Sequence, residues 1–153
     1  NGADLTRLTS NACEDTEPSW SPDGSKLVYA SRVGGFPRLW TMRADGTRKR
    51  RLLRALSTSP AWSPDGATIA YVSDSDGDSE IFTVGANGKG ITKLTDNANI
   101  ADEGPAWSPD GSLLAFASDR DGDSDIFRMN ADGSGAQVLT SGVWTDNQPA
   151  WRP

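Results

Sequence analysis

The chain has 153 residues, a net charge of −6, 35% hydrophobic and 24% charged residues, a profile that fits one globular domain. No apolar run approaches the roughly 18–20 residues of a bilayer span, so membrane insertion is not expected, and the acidic balance argues against nucleic acid, whose phosphates need a basic face. With no His and one cysteine, Cys13, the usual general base, the Ser-His-Asp and Cys-His arrangements and an internal disulfide are all excluded.

The 17 Asp against 4 Glu, with 16 Gly and 9 Pro, describe a chain of many turns rather than helices. Residues 1–9, Asn-Gly-Ala-Asp-Leu-Thr-Arg-Leu-Thr, match 87–95 and are expected to form an outer strand of their own. Then comes Pro18-Ser19-Trp20-Ser21-Pro22-Asp23-Gly24, which recurs at Pro60–Gly66 and Pro105–Gly111 and begins again at Pro149-Ala150-Trp151. The Trp-to-Trp spacings of 42, 45 and 44 residues suit propeller blades of four short strands. Within each repeat the order is Pro-x-Trp, a Ser-Pro-Asp-Gly turn, a short apolar strand, an Asp-Gly hairpin in the second and third repeats, an alternating third strand and a last strand ending in Leu. The expected fold is therefore all-β. It is a partial β-propeller of three four-stranded blades, about 17–53, 59–95 and 104–140, plus an extra N-terminal outer strand (1–9) and a C-terminal inner strand (147–153). All of 1–153 forms one repeat region. Beginning with Asn rather than Met, the chain reads as processed or excised.

The Trp-Ser-Pro-Asp-Gly repeats, with Ser118-Asp119-Arg120-Asp121-Gly122 before a third strand, Asn130-Ala131-Asp132-Gly133 after it and the closing Leu-Thr, resemble the TolB-like β-propeller family, a relative of the WD-repeat propellers. The match covers essentially the whole chain. The resemblance implies a periplasmic or other extracytoplasmic protein that binds an outer-membrane lipoprotein and other envelope proteins. Similar propellers also gate or scaffold peptidases, and some act as lyases. The chain departs from the family in lacking a separate N-terminal α/β domain and in having too few blades.

Propellers close with 4–8 blades, so three leave open edges that invite association. A homodimer or other homo-oligomer completing the ring is the favoured expectation, and a fragment of a longer chain the alternative. Loops leading into first strands and the hairpins after second strands share one face, which collects 15 of the 21 acidic residues. From it Glu14, Asp15, Glu17, Asp102, Glu103 and Asp146, with the off-pattern Trp144, are the candidate partner-binding residues. The hairpins place Asp74, Asp76, Asp78 and Asp119, Asp121, Asp123 at alternate positions, as calcium loops do, although the full twelve-residue frame is missing. Calcium is the one cofactor the pattern admits. Trp20, Trp62, Trp107 and Trp151 read as packing between blades. The basic run Arg48-Lys49-Arg50-Arg51, with Arg43 and Arg54 nearby, reads as a charged edge or a contact for an anionic partner.

The leading expectation for function is a non-catalytic module that self-assembles towards a ring and presents an acidic loop face to a protein or ligand. The alternatives are a calcium- or carbohydrate-binding propeller, and the propeller part of a larger envelope protein or hydrolase.

Overall fold

The computed structural model describes residues 4–75 and 77–152; the expectations resting on residues 1–3, Asp76 and Pro153 lie outside them. The described residues form twelve strands in three antiparallel sheets, and none of them is helical. Strands β1 (Asp15–Trp20), β2 (Lys26–Ser31), β3 (Arg38–Arg43) and β4 (Arg50–Arg51) pair in chain order as the first blade. The second blade contains β5 (Thr58–Trp62), β6 (Thr68–Ser73), β7 (Glu80–Gly85) and β8 (Thr92–Lys93). The third contains β9 (Asp102–Trp107), β10 (Leu113–Ser118), β11 (Asp125–Asn130) and β12 (Gln137–Val138).

The middles of the second strands β2, β6 and β10, Leu27–Ala30, Ile69–Val72 and Leu114–Ala117, are apolar and buried on both faces of the strand. Side chains alternate between faces along a strand, so Val28 and Ala30 pack with Ile69, Tyr71 and Trp62 between blades one and two. Ala70 and Val72 pack with Leu114, Phe116 and Phe127 between blades two and three. On the remaining face of the first blade, Leu27, Tyr29 and Met42 pack with the partly buried Leu8 and Trp40. Trp20 on that open flank is 53% exposed, whereas Trp62, at the same place one blade later, is 9% exposed. Packing between blades is thus the role of Trp62 and, half-buried, of Trp107; among the described residues no blade lies against Trp20.

The terminal segments differ from expectation. Residues 4–9 and 147–152 are not in strands, although Leu8 and Trp151 make the contacts that the repeats make between blades. Gly46, in the Asp-Gly turn after β3, lies against Leu8, as Gly88 lies against Leu52 and Gly133 against Leu94. Trp151 donates its indole N–H to the Ala106 carbonyl at 3.0 Å, as Trp107 does to Ala61 at 3.2 Å. A last strand needs a third strand beside it and a first strand needs a second. The segments have the positions without those partners.

Each Ser-Pro-Asp-Gly turn is closed by its own side chains. Ser21 donates to Asp23 at 2.6 Å and accepts from the Lys26 N–H at 2.9 Å, and Ser63 and Ser108 repeat the arrangement. The hydroxyl of Ser21, then the backbone N–H and hydroxyl of Ser25, hold the Asp23 carboxyl down from 3.8 to about 2. Ser108 and then Ser112 do the same to Asp110, also to about 2. A carboxyl whose folded pKa lies below its unfolded value stabilises the fold above the unfolded value and loses that contribution as pH falls through the folded one. These turns should therefore contribute fully down to about pH 4 and lose their contribution between about pH 4 and pH 2. Urea midpoints measured across that range should fall less steeply for the Asp23→Asn/Asp110→Asn variant than for the parent. Equal acid limbs would show that the turns do not prefer the charged carboxylates.

Candidate functional site

In each blade the first strand breaks register with the second. The breaks fall between Thr16 and Ser19, between Thr58 and Ala61, and opposite Ala115–Ala117. At each break stands a proline, which has no N–H for the ladder and is accommodated by a bulge. The residue before it takes a left-handed conformation: Glu17 at φ 53°, Ser59 at 49°, Gly104 at 60° and, ahead of Pro149, Gln148 at 54°. Only one of the four is glycine. Non-glycine residues at positive φ are uncommon and gather at functional sites.

All four line one open cavity of about 490 Å³, together with Ala101, Glu103, Ala117, Asp119, Ser124, Thr145 and Asn147. An adjoining cleft of about 230 Å³ shares Glu17, Ser59 and Glu103 and adds Asp74 and Ser79. Glu17 ties the first blade to the second, accepting from the Ser59 N–H at 2.7 Å, and within the third blade Asp119 accepts from the Ala101 N–H at 2.7 Å. Glu17, Glu103 and Asp119 are exposed carboxylates, so the cavity carries negative charge in a polar setting.

Several acidic residues expected on this face are buried or bonded within the chain. Asp102 is 0% exposed, accepts from Arg120 at 3.0 and 3.2 Å and from the Asn97 amide at 2.8 Å. Its neighbour Glu103 is exposed, because adjacent strand residues face opposite ways. Glu80 and Asp125 are buried at the start of third strands and accept from the hydroxyls of Thr95 and Thr140. Those hydroxyls in turn accept from the N–H groups of Ile81 and Ile126. Asp15 is half-buried and accepts from Ser31 and Asn11. Glu14 is paired with Arg32 at 2.9 Å on the surface. Asp146 joins the third hairpin through its backbone, its N–H donating to the Ser124 carbonyl at 2.6 Å. Trp144 is 79% exposed. Among the described residues no three acidic groups, Asp74, Asp78, Asp119, Asp121 and Asp123 included, come together where they would hold a metal ion.

The cavity residues Ser59, Gly104 and Gln148 were not anticipated from sequence. Their signal was the residue before the repeated proline, where the side chains Glu, Ser, Gly and Gln have no common chemistry.

Comparison with known proteins agrees with this architecture. A family model for the TolB β-propeller domain matches residues 53–153. A TolB homologue of Protochlamydia amoebophila is 43% identical over 35 residues, which are 23% of this chain and 8% of that protein. Among solved structures, a TolB-type protein from Agrobacterium tumefaciens superposes with a TM-score of 0.83 at 29% identity, covering 90% of this chain and 50% of its own. TolB from Acinetobacter baumannii gives 0.80 at 21% identity, covering 94% and 36%. An oligogalacturonate lyase from Vibrio parahaemolyticus shares the fold alone, with a TM-score of 0.69 at 13% identity, covering 86% and 42%. The chain thus spans half or less of these relatives' lengths. Its three repeated sheets and the match across 53–153 make it a member of the TolB β-propeller family.

Proposed function

We propose that the chain is a non-catalytic propeller module that acts outside the cytoplasm and binds a cationic polypeptide segment at the cavity around Glu17, Ser59, Gly104 and Gln148. The observation that carries this reading is the convergence of four left-handed residues, one from each repeat, on one open polar cavity. Backbone strain repeated at one place serves either packing or recognition, and these residues border open space rather than core. The exposed carboxylates Glu17, Glu103 and Asp119 set the sign of the ligand. Against catalysis, the chain has no His, and Asp102 of the adjacent Asp102–Glu103 pair is locked to Arg120. The calcium reading has no group of three acidic ligands among the described residues to support it.

A second copy completes the ring in this reading. Pro18 and Trp20 lie exposed beside Leu8 and the buried Leu27, Tyr29 and Met42 on the flank of the first blade, a face of the kind that the other two blades cover, and the TolB structures of comparable fold are longer chains, of which this one covers 50% and 36%.

Titration with an oligolysine peptide at low salt tests the cavity. The Glu17→Gln/Glu103→Gln variant, which keeps an acceptor for the Ser59 N–H, should bind it about tenfold more weakly. Unchanged binding would remove the cavity from the reading. Light scattering on a sizing column tests assembly: a concentration-dependent dimer is expected, and a monomer at every concentration would rule out completion by a second copy.

A further inference from the structure

At the strand ends remote from the axial cavity, the first and second blades enclose another cavity, of about 380 Å³. Its rim is Lys26, Arg43, Arg48 and Arg50, and Met42 and Trp62 contribute to its apolar floor. We propose that this cleft binds a small organic anion, one carrying a phosphate or carboxylate beside an apolar group.

The four cations belong to this blade alone. The corresponding positions are Thr68, Gly85, Gly90 and Thr92 in the second blade and Leu113, Asn130, Gly135 and Gln137 in the third. The fold therefore does not need them. Ion pairs among the described residues, namely Arg32–Glu14, Lys93 with Glu80 and Asp96, and Arg120–Asp102, leave all four aside. The matching cleft between blades two and three has Thr68 at the Lys26 position and no cation in its lining.

Two further features mark the cleft. Arg48 sits at φ 54°, where the other blades place Gly90 at 71° and Gly135 at 68°. Asp4 ahead of the first blade shares the conformation, but Asp tolerates it far better than Arg does. A long side chain kept at a strained glycine position suggests work for its guanidinium. Trp62 supplies the other feature. Its counterparts Trp107 and Trp151 donate to backbone carbonyls of the preceding blade, whereas the Trp62 indole N–H is buried without an acceptor. Guanidinium groups bind phosphate or carboxylate through paired hydrogen bonds, and the Met42 and Trp62 side chains favour an apolar group over a bare ion.

Calorimetric titration at about 20 mM salt, where screening is weak, would use phenyl phosphate, benzoate and inorganic phosphate as probes. Saturable binding of phenyl phosphate or benzoate is expected, at least about tenfold tighter than of inorganic phosphate. Arg48→Gly, which restores the residue of the other blades and removes strain, should weaken binding at least about tenfold with no loss of thermal stability. Trp62→Phe should weaken it while leaving the blades packed. The proposal is overturned if neither aromatic probe saturates, if inorganic phosphate binds as tightly, or if Arg48→Gly binds like the parent.

Discussion

Trp62→Ala should lower stability by about 3–5 kcal/mol, and Trp20→Ala by about 1 kcal/mol or less. Trp62 and Trp20 occupy the same place in consecutive repeats, so the difference isolates the contribution of a neighbouring blade. Trp62 is 9% exposed and packs with Val28, Ala30, Leu39 and Leu53 of the first blade as well as Ile69, Tyr71 and Val84 of its own. Its indole N–H has no partner, so the substitution removes packing without breaking a hydrogen bond from the ring. Trp20 is 53% exposed, with no blade against it among the described residues. Urea denaturation of both variants at one protein concentration measures the difference. If the two substitutions cost the same, and Trp20→Ala also shifts the chain towards monomer, the open flank is covered in solution by another copy. If both cost less than about 1 kcal/mol, the blades do not rely on these rings and the inter-blade account of the core fails.

The blades were legible because their signals are local and repeated. Pro-x-Trp, the Ser-Pro-Asp-Gly turn and the apolar second strand each express chemistry within a few residues, and Ser21, Ser63 and Ser108 close their turns in the same way. The terminal segments were legible in placement only. Leu8 and Trp151 reach their expected neighbours, but ladder pairing is a property of two strands, and the sequence around one strand does not reveal whether the other exists. The acidic face was harder still. Asp102, Glu80 and Asp125 are indistinguishable by composition from the exposed Asp74 or Asp121, yet they are buried and hydrogen-bonded. Burial of a carboxylate depends on what faces it across the sheet, and Asn97, Arg120, Thr95 and Thr140 lie 5 to 18 residues away in the chain. The left-handed positions were masked differently. Prolines at a fixed place announce a bulge, but Glu17, Ser59 and Gln148 are not residues that advertise positive φ.

Asp102→Ala should cost about 2–4 kcal/mol of stability and leave peptide binding by the folded chain unchanged. Asp102 is fully buried, whereas the Arg120 side chain is 26% exposed, and the two meet at 3.0 Å. The guanidinium also lies over the Phe127 ring at 4.5 Å and the Phe116 ring at 5.3 Å, a stack that secures the third blade's core. Removing the carboxylate leaves an unpaired cation over those rings and the Asn97 amide without one of its acceptors. Arg120→Met alone should also be costly, since it leaves a buried carboxylate held by Asn97. The double variant should cost less than the two single costs added, with a coupling of about 1–3 kcal/mol. Additive losses would mean that the pair does not act as a unit. The binding arm separates structure from recognition: a ligand contact would weaken oligolysine binding and hardly move the urea midpoint. Should Asp102→Ala behave that way, the carboxylate is accessible in solution and belongs with Glu103 on the cavity wall.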